Sequence, residues 1–126
     1  MGNEVRDDLK YTDTHEWLKL EGDKVKVGIT DHAQDELTDI VFVELPEVGK
    51  EVIKGVELCV VESVKSVSEI YSPVSGKIIK VNTDLEDSPE TINESPYDEG
   101  WLVEIEVSDK SEIDGLLSSE DYKKNI

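Results

Sequence analysis

One lysine in this chain stands where its amine is presented rather than buried. Lys65 lies inside residues 58–81, LCVVESVKSVSEIYSPVSGKIIKV, between two runs of residues that suit strands. Before it, Leu58, Val60 and Val64 alternate with Cys59, Val61 and Ser63; after it come Ile70 and Tyr71, then Ile78, Ile79 and Val81. That pattern puts Lys65 at or beside a hairpin tip. Its long stem ends in a primary amine able to form a stable amide, and a tight hairpin would fix the root of the arm so made. Glu62 precedes it by three residues, Val64 and Ser66 flank it, Tyr71-Ser72-Pro73 follows, and Gly76 stands eleven residues on. Glu62 suits a docking contact for a modifying enzyme, and Gly76 suits a turn or a close backbone approach beside the tip.

Rival chemistry is thin elsewhere. His15 and Glu16 are adjacent and His32 precedes Glu36 by four residues, but two ligands do not make a metal site, and no H-E-x-x-H or cysteine pair completes one. No metal is expected. Ser63, Ser66 and Ser68 near Lys65 suggest a Ser-Lys pair, yet an exposed tip excludes no water and offers no oriented base. There is no G-x-S-x-G elbow, P-loop or G-x-G-x-x-G. The single cysteine, Cys59, sits in an apolar run and reads as a small buried hydrophobe. No catalytic residue is assigned, and a non-catalytic carrier fits, because hard chemistry can reside on an attached cofactor.

The elements that must position Lys65 follow from composition and period. At 126 residues the chain can bury one core, so residues 10–126 read as a single domain, preceded by a loosely ordered arm over residues 1–9 that carries little apolar pattern. Thirteen Lys plus Arg against 31 Asp plus Glu leave a net charge of −18, which excludes phosphate-neutralising nucleic-acid binding and opposes an anionic membrane surface. Partners with basic docking surfaces are favoured. No membrane-spanning run or leader pattern is present, so a cytoplasmic protein is expected.

Alternation predicts a hairpin with Leu18 and Leu20 on one face and Val25, Val27 and Ile29 on the next strand, turning at Glu21-Gly22-Asp23. From Thr30 the period changes: Ala33, Leu37 and Ile40 predict a two-turn helix capped by Thr30 or Asp31. Strands follow at residues 40–45 and 50–55. The long connection from 82 to 100 has Leu85, Ile92 and Tyr97 as anchors. Trp101, Val103, Ile105 and Val107 then alternate inward against Glu104 and Glu106, and Ser111 and Ser118 each open a short C-terminal helix. A faint echo links residues 48–52 with 75–79. The whole reads as a mainly β sandwich or barrel of short antiparallel strands, with a short internal helix and C-terminal helices.

Taken together, Tyr11…His15-Glu16-Trp17, VGITDHAQDELTDIVFVELPEVG from 27 to 49, ESVKSVSEIYSPVSG from 62 to 76, Glu99-Gly100-Trp101-Leu102 and SEIDGLLSSEDY look like the glycine cleavage system H protein family, over nearly the whole of residues 10–122. VGITDHAQ and the GWL strand resemble this family rather than the lipoyl domains of 2-oxo-acid dehydrogenases; biotin carriers usually place Met on both sides of the lysine, where Val64 and Ser66 stand here. The resemblance implies a barrel-sandwich hybrid with lipoate attached to Lys65. It implies that the arm carries the aminomethyl group of glycine from a glycine decarboxylase (P protein) to a tetrahydrofolate-dependent aminomethyltransferase (T protein), and is reoxidised by dihydrolipoamide dehydrogenase (L protein). A lipoate ligase or lipoyl transferase would load it. It also implies a resting cleft for the loaded arm at Glu16, with Thr14 and Glu69 as neighbours, while Glu62 and Gly76 serve lipoylation recognition or hairpin geometry.

Three positions depart from the family's usual pattern: Ser66 where alanine is common, and Cys59 and Thr38 where glycine is. The same lysine would also serve a relay that donates lipoyl groups to other lipoyl domains. An unmodified acidic β-sandwich interaction module is the reading from a different class, and the intact Glu62-Ser63-Val64-Lys65 segment argues against it.

Overall fold

The computed structural model describes residues 4–126. Strand β1 (Lys10–Tyr11) leads into the hairpin of β2 (Glu16–Glu21) and β3 (Lys24–Ile29), which turns on Gly22 at φ 70°. Only a residue without Cβ adopts that φ freely. Helix α1 (Asp31–Leu37) starts where expected, with Thr30 Oγ1 accepting from the Ala33 amide at 3.2 Å. Then come β4 (Ile40–Glu44), β5 (Glu51–Val52), β6 (Glu57–Ser63), β7 (Val67–Tyr71) and β8 (Gly76–Val81). Two single-turn helices, α2 (Asp84–Asp87) and α3 (Thr91–Glu94), fill the long connection, and its three anchors Leu85, Ile92 and Tyr97 are all buried. Strand β9 (Val103–Val107) precedes α4 (Ser111–Asp114) and α5 (Ser119–Lys123), the latter capped by Ser118.

The strands pair in two sheets, β1-β2-β3-β9-β8-β5 and β4-β6-β7, with every pairing antiparallel. This is the mainly β, open barrel-like sandwich with short helices that the sequence predicts. Val25, Val27, Ile78 and Ile105 of the larger sheet share one core with Val43, Val61 and Ile70 of the smaller. The echoing segments meet, since β5 pairs with β8 through Glu51 opposite Lys77 and Val52 opposite Gly76. No helix among the described residues is long and apolar enough to cross a membrane.

Several expectations are corrected. Leu20 is 51% exposed: β1 pairs only with Trp17 and Leu18, so Leu20 lies on the open edge of the sheet near the hairpin end, although Val25 opposite it is buried. Trp101 precedes β9 and packs in the second apolar cluster with Trp17 and Tyr97, while Val107 is half-buried. Glu104, expected outward, is buried: it sits on the central strand β9 between two lysine-bearing neighbours, 3.2 Å from Lys24 Nζ and 3.9 Å from Lys80 Nζ, while Lys26 and Lys80 lie over the Trp101 ring. Long apolar stems cover this face and leave little water at the carboxylate. Residues 1–3 of the expected loose arm lie outside the described residues, but the chain is anchored from Glu4 onward. Leu9 is buried, and the Arg6 guanidinium donates to both Asp98 oxygens at 2.8 Å while Tyr11 Oη donates to the Arg6 carbonyl at 2.8 Å.

Gly76 opens β8 in the larger sheet rather than the Lys65 hairpin. A Cβ there would stand 2.1 Å from the Glu106 carbonyl oxygen, so the close approach it permits is that of β8 to β9. Thr38 shows why glycine suits its position: it ends α1 at φ 66° and ψ −146°, a region costly for any β-branched residue. Thr38→Gly should therefore raise stability by about 1 kcal/mol, the relief of strain being partly offset by the entropy of glycine. Urea unfolding should show a higher midpoint at unchanged slope; a lower midpoint would contradict this account of α1's end.

Candidate functional site

Antiparallel pairing of β6 with β7 leaves Val64, Lys65 and Ser66 as the turn. Ser63 builds it. Its amide donates to the Ser66 carbonyl at 2.8 Å, and its buried hydroxyl accepts from the amides of Lys65 (3.1 Å) and Ser66 (3.0 Å). The Val64 amide donates to the Asp39 carbonyl at 3.0 Å, tying the tip to the segment after α1. Lys65 is exposed, and its Nζ donates to the Glu36 carbonyl at 3.1 Å, in the last turn of α1 where a cation is favoured. Val64 and Val67 flank it at 67% and 63% exposure. Ser66 enters through its backbone, so its departure from alanine leaves the turn intact. Glu62 is exposed on β6, opposite Phe42 of β4 and Val67 of β7.

Glu16 is the second focus. It begins β2 yet is only 1% exposed. Oε1 accepts from the hydroxyls of Thr12 and Thr14, each at 2.5 Å, and Oε2 accepts from the Tyr71 amide on β7 at 3.3 Å. Burial pushes the carboxyl above its ordinary 4.5, and the three donors oppose that rise. Glu16 lines a cleft of about 250 Å³ with Thr12, Thr14, Tyr71 and Pro73. A second groove, lined by Val67, Ser68 and Glu69 of β7, shares Asp13, Thr14 and Tyr71 with it and so adjoins it on the Lys65 side of that strand. Tyr71 Oη donates to Glu69 at 3.2 Å.

The structure thus brings Glu16 and Thr14 together in one cleft and sets Glu69 in the adjoining groove, which leads along β7 toward Lys65, while Glu62 and Gly76 stand apart from the cleft. Sequence reasoning missed Thr12 and the Tyr71 amide. Thr12 and Thr14 precede Glu16 at four and two residues, the only local signal; the Tyr71 bond joins positions 55 residues apart. Cys59 is a buried thiol pushed up to about 12 by burial and then by Glu16, so it is not a nucleophile. His15 does not pair with Glu16. Its Nδ1 lies 2.8 Å from Tyr122 Oη and its ring 4.7 Å from that of His32, which is itself 3.0 Å from Glu36.

The family model described as glycine cleavage H-protein matches residues 9–126. The chain belongs to that family. The glycine cleavage system H protein of Halalkalibacterium halodurans is 57% identical over 119 residues, covering 94% of this chain and 93% of that protein. That of Teredinibacter turnerae is 57% identical over 125 residues, covering 98% and 96%. The crystal structure of a glycine cleavage system H protein from Mycobacterium marinum superposes with a TM-score of 0.88 at 40% identity, covering 95% of this chain and 97% of that one. As a glycine cleavage H-protein, the chain is a lipoyl carrier component of the glycine cleavage system and works with its other components. It is not itself a catalyst.

The raised carboxyl of Glu16 carries a pH signature. Below 4.5 the group is protonated in both folded and unfolded chains; as pH rises, the unfolded chain ionises first, so the folded state binds the extra proton and loses stability until its own higher pKa is passed. The stability of the wild type relative to Glu16→Gln should therefore fall as pH rises from 4.5 and then level off, the other carboxylates cancelling in the difference. Urea midpoints of both proteins between about pH 4 and pH 8 test this; a difference that is flat or grows with pH would contradict it.

Proposed function

We propose that Lys65 carries lipoate in amide linkage and that the Glu16 cleft shelters the loaded end of the arm between visits to partners. The residues fit the group. Lys65 is exposed at a turn whose backbone Ser63 and Asp39 fix, so a ligase or lipoyl transferase reaches the amine without unfolding the hairpin. When bound, lipoate would supply a dithiolane able to accept both electrons and the aminomethyl group. Acylation would remove one cation, taking the formal net charge from −18 to −19.

Everything else falls to the chain's own side chains. Glu16 offers a negative charge in a recess lined partly by Pro73 and Leu116, where an aminomethyl cation would find its counter-ion away from bulk water. Thr12, Thr14 and the Tyr71 amide hold that carboxylate in place, and Glu69 extends the acidic lining toward Val67. The exposed valines beside Lys65, set on an acidic surface, suit partners that combine an apolar contact with basic residues. The partners in this reading are the glycine decarboxylase, the aminomethyltransferase, dihydrolipoamide dehydrogenase and the lipoylating enzyme.

The observation that carries the reading is the single lysine held out at the β6–β7 turn. Intact-mass measurement of protein from a lipoate-replete host should show a lipoyl increment in the wild type and none in Lys65→Arg. An unmodified wild type, or an increment that survives the substitution, would contradict it.

A further inference from the structure

Two histidines and a glutamate, from segments the sequence does not connect, converge beside the root of the proposed arm. We propose that His15, His32 and Glu36 form a binding site for one borderline divalent cation of the zinc type, with a coordination position left open. One ligand atom from each of the three lies within 4.8 Å of the other two. A tetrahedral zinc with bonds near 2.0–2.1 Å separates its ligands by about 3.4 Å. The His32 Nε2 to Glu36 Oε1 distance of 3.0 Å is already near that value, because i and i+4 share one face of α1. The Glu36 side chain is 65% exposed and free to swing the remaining distance.

His15 is what turns a surface pair into a site. It sits at φ 71°, a conformation uncommon for a residue with a side chain, braced by its amide to the Thr12 carbonyl and its carbonyl to the Thr30 amide. Its Nδ1 faces Tyr122 Oη at 2.8 Å, and that phenol lies 2.7 Å from the buried Thr30 hydroxyl. Among the described residues none hydrogen-bonds to Nε2. A phenol fixing one ring nitrogen while the other is left free is the outer-shell arrangement that orients a metal-binding histidine. Two imidazoles and a carboxylate with an open fourth position match the donor set of three-ligand zinc sites, and imidazole disfavours the hard cations magnesium and calcium. Glu36 links this site to Lys65, since its carboxylate is a ligand and its carbonyl accepts from Lys65 Nζ. The open position suits water or a thiolate.

Isothermal titration of the full chain with zinc chloride, beside visible absorption of the cobalt(II) form, tests the site. His32→Asn and Glu36→Gln alter the solvent-facing side of α1, and His15→Asn keeps a residue tolerant of positive φ; circular dichroism checks that each variant folds. The wild type and Lys65→Arg should each bind one zinc ion, with affinity at least tenfold weaker in all three ligand variants and an intense low-coordinate cobalt spectrum lost with it. Zinc bound equally well by the variants would mean diffuse association with the acidic surface and would overturn the site, as would a wild type with no saturable binding. Binding lost in Lys65→Arg would place the metal on the arm instead, and would overturn the three-residue site without touching the carrier reading.

Discussion

A carboxylate buried between two sheets is the constraint on which the working end of this molecule depends. Glu16 lies on β2 of the larger sheet, and the amide it satisfies belongs to Tyr71 on β7 of the smaller. An unpaired buried charge would cost several kcal/mol, so the chain around it is committed to supplying donors. Thr12 and Thr14 do so from the turn that leads into β2, and the Thr12 hydroxyl also accepts from the Glu16 amide at 3.0 Å. The same bonds that satisfy the acid fix the end of β7 against the entry to β2. The cleft at Glu16 and the strand leading to Lys65 are therefore positioned by one network.

The hairpin works under a different economy. Its tip needs no buried acid, only a serine whose hydroxyl closes the turn and an anchor at Asp39. This lets Lys65 stay exposed while its root is fixed, as a tethered carrier requires. The charge of −18 suits the role, since long-range complementarity speeds encounter with basic partners more than it tightens binding, and a carrier must leave each partner after every transfer. The residues carried off-pattern tolerate this design. Cys59 is buried and protonated, Ser66 contributes only backbone, and Thr38 bears its strain at the end of α1, between Glu36 and Asp39, whose carbonyls accept from Lys65 Nζ and from the Val64 amide.

Much of the fold was legible because it is local. Alternation located β2, β3, β6 and β9, the strand-forming Ile70 and Tyr71 marked β7, the change of period with Thr30 located α1, and Leu85, Ile92 and Tyr97 marked the points where a long connection is buried. What escaped depends on partners far along the chain. Glu104 is inside because Lys24 and Lys80 close over it from two different strands, and Leu20 is outside because β1 stops short of it and leaves that end of β2 an open edge. Ile79 is exposed because it follows the fully buried Ile78 on the opposite face of β8, and the bulge between Ile78 and Lys80 then breaks the alternation that would have turned Lys80 inward. Gly76 read as part of the attachment frame, yet it opens β8, where a Cβ would meet the Glu106 carbonyl oxygen of β9. At the candidate site, the family resemblance pointed to Lys65 and Glu16, and the structure shows one exposed at a turn and the other buried in a cleft, whereas the meeting of His15 with Tyr122 spans 107 positions and leaves no trace in local spacing.

The central claim is that Glu16 holds the cationic end of the loaded arm, so its charge should govern how long the cargo survives. The direct measurement is the rate at which aminomethyl-loaded protein, prepared with a glycine decarboxylase, releases ammonia and formaldehyde in the absence of tetrahydrofolate. Glu16→Ala and Glu16→Gln should both accelerate that release relative to the wild type, while Glu62→Gln, which lies outside the cleft, should leave it unchanged. An identical rate in the wild type and both Glu16 variants would contradict the account.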